Sequence, residues 1–143
     1  MYASLYAPPA TRALSARMYQ RVGVESQLAT ADPHRLVAML FEGFMESVAQ
    51  ARGALRAGHR EVKAAACSRA MRILEDGLRG GLDLNGGGSL ARDLDKLYSY
   101  IAMRLTLANL RDDENALDEC QRLVLPLQQA WASIASDPAA KRR

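Results

Sequence analysis

Hydrophobic positions recur every three or four residues along four long stretches of the chain, the period of a helix that is buried on one face. These stretches cover residues 32–58, 60–82, 90–110 and 111–136. Short breaks separate them, and no stretch shows the alternation of a strand. The pattern therefore predicts an all-α protein: an antiparallel up-down four-helix bundle with an N-terminal arm or short extra helix.

The helix boundaries have residues that suit the ends of helices. Asp32 is a favoured N-cap residue, and Pro33 suits the first helical position, where its missing N–H costs nothing. Gly58 suits the end of that helix. Ser89 follows a glycine-rich break and is expected to cap the third helix. Pro126 lies inside the fourth helix, where it predicts a kink or a locally opened turn.

The apolar stripes of the second and third helices indicate which side chains should be buried. Gly77 costs roughly 1 kcal/mol of helix propensity, so close packing is a plausible reason for it. The buried face of the second helix is predicted to be Val62, Ala66, Ala70, Ile73, Leu74, Gly77, Leu78 and Gly81. The core stripe of the third is predicted to be Leu90, Leu94, Leu97, Tyr98, Ile101, Leu105 and Ala108.

The third helix carries a second apolar stripe on nearly the opposite side. It consists of Tyr100, Met103, Leu107 and Leu110, rimmed by Arg104 and Lys96. Each helix of a four-helix bundle normally offers one face to the core. Another segment or another molecule is therefore expected to cover the second stripe. Three interpretations remain open: a groove for a partner helix, permanent cover by the N-terminal arm, or a homodimer contact. A switch in which a partner displaces the arm would satisfy the first two.

The chain is predicted to divide into an arm at residues 1–31, a bundle at 32–136 and a disordered basic tail at 137–143. The arm has no long helical period. A short helix over residues 10–19 would place Met18 and Tyr19 on one side. Tyr6, Val22 and Val24 add further apolar surface. The arm must therefore pack against another surface or remain loose.

Composition narrows the possible classes of protein. The chain has 143 residues, 49% hydrophobic and 24% charged, which is typical of one globular domain. The formal charge of +3, which comes partly from the tail, gives little support to nucleic-acid binding. No apolar run is long enough to span a membrane, and the N-terminus does not resemble a secretory signal. Cys67 and Cys120 fall at apolar helical positions, so both are expected to be reduced core residues.

The sequence lacks the constellations that would make a helical bundle catalytic. No glutamate has a histidine three residues on, as a di-iron carboxylate site requires. His34 and His59 lie at helix starts, whereas a phosphotransfer histidine is exposed in mid-helix. No nucleophile with a partner base is recognisable. We therefore expect no enzyme, no metal and no cofactor.

Several segments together resemble the FliS family of flagellar secretion chaperones. They are YQRVGVES at residues 19–26, DPHRLVAMLFEG at residues 32–43 and GLDLNGGGSLARDLDKLYSYIAMRLTLANLRDDENAL at residues 81–117. A tryptophan near the end of the last helix, Trp131, also fits, and the resemblance covers most of the chain in collinear order. Pro126 and the long segment before Tyr19 depart from the family pattern.

The resemblance implies a cytoplasmic antiparallel bundle that binds the disordered C-terminal segment of flagellin, one chaperone to one flagellin. Binding would prevent premature polymerisation and aid delivery to a component of the flagellar export gate. The family's arm can occupy the client surface and be displaced from it. No nucleic acid, membrane insertion or cofactor is implied. The alternative is a helical adaptor for another secreted axial protein or a flagellar regulator.

The resemblance also assigns roles to particular residues. Tyr19, Val22 and Val24 match the arm motif of the family, and together with Tyr6 and Met18 they form the predicted lid. In the third helix the matching residues are Tyr98, Tyr100, Arg104, Leu105, Ala108 and Asn109. Of these, Tyr98 and Leu105 are expected in the core and Asn109 at the helix end or in the following turn. The predicted client groove comprises Tyr100, Met103, Arg104, Leu107 and Leu110.

Overall fold

Helices account for most of the chain that the computed structural model describes, which is residues 5–6 and 32–135. Helix α1 spans Pro33–Ala57, α2 spans Arg60–Arg72 and continues as a π-helical segment at Ile73–Arg79, α3 spans Gly88–Arg111 and α4 spans Glu114–Ala135. Extended pairing among these residues is limited to one isolated antiparallel bridge, Tyr6 to Leu82. The predicted all-α four-helix architecture is confirmed.

Helix α1 begins and ends where its residues predict. The Asp32 side chain accepts a hydrogen bond of 2.7 Å from the backbone N–H of Arg35, and Pro33 occupies the first helical position. Gly58 closes the helix in the left-handed conformation, with φ at 76°. Glycine takes this conformation at little cost, so the chain can turn directly into α2.

Side-chain contacts define the antiparallel arrangement. Arg52, near the end of α1, reaches Asp118 near the start of α4, with 3.2 Å between Nη1 and Oδ1. Lys63, near the start of α2, donates to the backbone carbonyl of Asn109 near the end of α3, at 2.8 Å. Helices adjacent in sequence pack together, and α4 packs back on α1. This closes the bundle around one hydrophobic core.

The core contains most of the predicted apolar positions, with two exceptions. Among its fully buried side chains are Phe44, Ile73, Leu78, Tyr98, Ile101, Leu105 and Leu117. Val62 and Leu90 were predicted to be buried, but they are 43% and 44% exposed. Both lie in the first turn of their helix, where the apolar period continues but fewer neighbouring elements cover the side chain. Cys67 and Cys120 are buried free thiols, as expected.

The second helix is not regular up to Leu82, contrary to the prediction. It widens into the π-helical segment, which ends at Arg79. The segment still buries Ile73, Leu74, Gly77 and Leu78, and because this spacing also fits an α-helix, the pattern could not reveal the wider turns. The predicted close packing at Gly77 is confirmed, since a Cβ atom there would lie 2.6 Å from Leu40 Cδ2.

The starts of the last two helices differ from the prediction by a few residues. Gly87, not Ser89, is the N-cap of α3, because Gly88 turns the chain into the helix earlier with a φ of 65°. Arg111 belongs to α3, and α4 is capped by the side chain of Asp113, which accepts from the N–H of Ala116 at 3.3 Å. Helix α4 is continuous across Pro126, where the predicted kink remains a prediction.

Candidate partner-binding surface

The outer side of α3 carries the second apolar stripe in the positions that the sequence predicts. Tyr100, Met103 and Leu110 are 40%, 49% and 75% exposed, and Leu107 is partly exposed. These four residues are called the α3 stripe below. The opposite side of the same helix buries Tyr98 and the rest of the core face. The α3 stripe is therefore apolar surface beyond what the bundle core needs.

One edge of the α3 stripe is held by a polar bridge to α4. The Tyr100 hydroxyl donates to Glu119 Oε2 at 2.8 Å, and Arg104 Nε donates to Glu119 Oε1 at 2.6 Å. The Tyr100 hydrogen bond and then the Arg104 guanidinium hold the pKa of Glu119 below its usual range. The hydrogen bond to Glu119 raises the pKa of Tyr100. Both predicted groove residues are thus oriented by a carboxylate that sequence reasoning did not single out.

Positive charge lies beside the stripe. Lys96 lies about one turn before Tyr100 and two turns before Met103, and Arg111 lies one turn beyond Leu107 at the other end. Lys96 and Arg111 are both exposed. Among the described residues, no acidic side chain lies within salt-bridge distance of either one. Among the described residues Arg104 is paired with Glu119, whereas Lys96 and Arg111 have no acidic partner.

The C-terminal end of the stripe rests on a buried lysine. Lys63 of α2 is 6% exposed, and its Nζ donates to the carbonyl and side-chain oxygens of Asn109 at 2.8 and 3.0 Å and to Asp112 Oδ1 at 2.7 Å. The helix end is where backbone carbonyls lack partners and where positive charge is favourable. Lys63 thereby fixes the last turn, which carries Leu110. Its position one turn before Ala66 and Cys67 placed it on the buried face, a signal that could have identified it.

The predicted lid is described at one residue only. Tyr6 lies at the end of the bundle, where its hydroxyl hydrogen-bonds the Tyr98 hydroxyl at 3.0 Å and its ring meets Trp131 edge-on at 5.6 Å between centroids. Tyr98 faces away from the α3 stripe, so these contacts are on the core side of α3. Met18, Tyr19, Val22 and Val24 lie outside the described residues, and the lid remains a prediction.

His34, in the first turn of α1, is paired with Trp131 of α4. Its Nε2 donates to the carbonyl of Trp131 at 2.7 Å, and the Trp131 indole N–H donates to the carbonyl of His34 at 2.9 Å. The two rings stack with centroids 4.8 Å apart. This reciprocal pair joins the start of α1 to the last turns of α4, and only the fold brings the two residues together.

Membrane-spanning helices and metal-binding clusters are not found among the described residues. None of their helices is both long enough and apolar enough to cross a membrane. Their histidine, cysteine, aspartate and glutamate side chains form no group of three or more that could hold a metal ion. The α3 stripe, which is exposed and apolar at helical spacing, is the candidate functional surface of this part of the chain.

An antiparallel helical bundle with an apolar stripe on the outside of one helix is typical of proteins that bind other polypeptides. Comparison with known proteins is consistent with this class. The model of the family described as "Flagellar protein FliS" matches residues 15–138. The chain therefore belongs to the FliS family, whose curated relatives are flagellar secretion chaperones.

Individual relatives match over most of their length. The chain is 40% identical over 119 residues to the flagellar secretion chaperone FliS of Salmonella typhimurium, covering 83% of this chain and 88% of the relative. Identity to FliSB of Pseudomonas aeruginosa is also 40% over 119 residues, covering 83% and 94%. The FliS chaperone of Escherichia coli is 34% identical over 135 residues, covering 94% and 96%.

Proposed function

We propose that this protein binds the C-terminal segment of flagellin through the α3 stripe, one chaperone to one flagellin. In the cytoplasm the complex keeps flagellin from polymerising prematurely and delivers it to a component of the flagellar export gate. Membership of a family of secretion chaperones supports the general role. The assignment of the surface is supported by one observation, the exposure of Tyr100, Met103 and Leu110 on the outside of α3.

The shape of the stripe suits a helical client. From Tyr100 to Leu110 the helix rises roughly 15 Å, so about three turns of an amphipathic helix could lie along it. A disordered segment that folds on binding has to bury a large apolar area to offset its lost conformational entropy. The stripe supplies apolar side chains at helical spacing, which is the surface that such a segment would need.

The charges near the stripe indicate which charge the client should carry. Lys96 and Arg111 have no acidic partner among the described residues, whereas Arg104 is neutralised by Glu119. A client helix with carboxylates flanking its apolar face would therefore gain favourable electrostatic interactions at both ends of the stripe. Rim charges of this kind mainly raise the association rate, and their effect weakens with salt.

Calorimetric titration with a peptide of the flagellin C-terminal segment from the same cell tests the proposal. The intact chain is expected to bind one peptide with a large negative change in heat capacity, because apolar surface is removed from water. Leu107→Asp should weaken binding about tenfold or more, since a carboxylate would be placed in the apolar contact. Val62→Asp is the control because it places the same charge at an exposed apolar residue of another helix, α2.

The outcomes distinguish the alternatives left open by the sequence. Absence of binding, or equal weakening by both substitutions, would contradict the assignment of client and surface. Light scattering of the free protein tests the homodimer, which Met103→Asp should dissociate if the stripe is a self-contact. If the stripe binds a client instead, the free protein is expected to be a monomer. Met103→Asp should then leave the mass measured by light scattering unchanged.

A further inference from the structure

Two hydrogen-bond donors at the edge of the α3 stripe converge on a single carboxylate. The Tyr100 hydroxyl donates to Glu119 Oε2 at 2.8 Å, and Arg104 Nε donates to Glu119 Oε1 at 2.6 Å. Tyr100 and Arg104 are four residues apart, so they lie on the same side of α3, one turn from each other. A hydroxyl and a guanidinium N–H that each take one oxygen of the same group form a receptor for a carboxylate.

Apolar side chains adjoin this receptor along α3. Tyr100 itself belongs to the α3 stripe, and Leu107 lies about one turn beyond Arg104. A client helix that packs along the stripe therefore crosses the receptor and removes water from it. Because hydrogen bonds are stronger where water is excluded, a carboxylate that meets the receptor beneath a client is held more firmly than one in open solvent.

Glu119 occupies the receptor in a way that permits exchange. The side chains of Arg104 and Glu119 are 26% and 28% exposed, and ion pairs that water can reach contribute little to stability. Glu119 also has another cation nearby. Its pKa is lowered most by the hydrogen bonds from Tyr100 and Arg104, and further by the charge of Arg122, three residues on in α4. Glu119 can thus turn toward water and Arg122 without entering the core.

We propose that Tyr100 and Arg104 form a carboxylate receptor that Glu119 occupies in the free protein and that an acidic side chain of the client takes over in the complex. This proposal rests on the proposed function, since it requires a client on the α3 stripe. Glu119 is then an internal competitor that selects the client. A segment with an acidic residue among its apolar ones replaces Glu119, whereas a segment without that residue gains no hydrogen bond at the receptor.

The receptor can be tested without any client by emptying it and adding acetate. Glu119→Ala removes the resident carboxylate, and nuclear magnetic resonance of the Arg104 side-chain Nε–H reports binding. We expect acetate to shift this signal to saturation when it replaces chloride at constant ionic strength. The intact chain should bind acetate at least about tenfold more weakly, because a group that fills the receptor nine-tenths of the time reduces the apparent affinity by that factor. Adding Tyr100→Phe to Glu119→Ala should weaken acetate binding about threefold or more.

Calorimetry with the flagellin C-terminal peptide tests the exchange by the client. Glu119→Ala should tighten binding about three- to tenfold, because the client no longer displaces a resident carboxylate. Replacing the acidic residues of the peptide one at a time by their amides should identify one whose loss abolishes this gain. Glu42→Ala is the matched control, since it removes the same charge from an exposed ion pair on α1 and should leave the affinity unchanged.

The possible failures can be told apart. A folded Glu119→Ala variant whose Arg104 signal does not respond to acetate would overturn the receptor, and an equal response in the intact chain would overturn its occupation by Glu119. If the peptide binds and Leu107→Asp weakens it, but Glu119→Ala weakens it too, Glu119 supports the client surface and does not compete for it. A peptide that binds to no variant would overturn the client together with the proposed function, whereas the acetate result does not depend on flagellin.

Discussion

At the scale of single residues, glycine has opposite effects at two helical positions of this bundle. A Cβ atom at Gly77 would lie 2.6 Å from Leu40 Cδ2, whereas at Gly53 nothing lies within 4 Å. Gly77→Ala should therefore lower the free energy of unfolding by about 1 to 3 kcal/mol through overpacking. Gly53→Ala should raise it by about 0.5 to 1 kcal/mol through better helix propensity. Urea unfolding of both variants checks this, and a stabilised Gly77→Ala would contradict the close packing.

The buried Lys63 supports a second prediction at this scale. Lys63→Met leaves the Asn109 oxygens and the Asp112 carboxylate without their donor, so we expect a loss of about 1 to 3 kcal/mol of unfolding free energy. Asp112 lies at the surface and can regain water, which limits the loss. Arg122→Met is the control, because the Arg122–Asp118 pair is exposed and should contribute less than about 0.5 kcal/mol. Equal losses in thermal unfolding would mean that Lys63 contributes no more than a surface pair.

Some contacts of individual residues could be predicted from the sequence, and others could not. The caps at Asp32 and Gly58 could be predicted because they depend on neighbouring backbone alone. Lys63 and Glu119 could not be paired with their partners, because those partners lie on other helices. The same holds for His34, whose partner Trp131 is at the far end of the sequence.

At the scale of elements, α4 contains a proline in its interior. Pro126 has no N–H to offer the carbonyl of Arg122, and an interior proline costs a helix about 3 kcal/mol. Because Pro126 is exposed, Pro126→Ala should restore the hydrogen bond without disturbing the core. We expect the free energy of unfolding to rise by about 1 to 3 kcal/mol, measured by urea denaturation. An unchanged or lower stability would mean that the fold depends on the geometry that proline imposes.

The helices differ in how well the sequence predicted them. Helix α1 was predicted closely because both of its ends carry strong local signals. The second helix was predicted as one regular element, since the π-helical segment keeps the same residues inward. The dipeptide Leu5–Tyr6 has no helical period and makes a bridge to a turn distant in sequence, so no local pattern could indicate its place.

At the scale of the whole molecule, stability should fall at alkaline pH. Burial raises the pKa of Tyr98 to about 12 and that of Cys120 to about 12, above their ordinary values of 10.0 and 9.0. The unfolded chain therefore releases these protons first as pH rises, and stability present below about pH 9 is lost progressively toward pH 12. By about pH 11 the two groups together should remove about 3 to 4 kcal/mol.

Urea unfolding between about pH 8 and pH 11 measures this loss. Tyr98→Phe should remove the part that sets in above about pH 10, and Cys120→Ala the part that sets in above about pH 9. A pH dependence that is unchanged in both variants would show that neither buried group causes the loss.

The sequence by itself determined the class of fold, most helix boundaries and the existence of a second apolar stripe on α3. These properties follow from local preferences and from the helical period, which a sequence expresses directly. Only the tertiary structure decided that Glu119 orients Tyr100 and Arg104, that Lys63 supports the end of α3, and that Leu5–Tyr6 docks beside Trp131. These contacts join residues far apart in sequence, and their geometry depends on how the helices pack against one another.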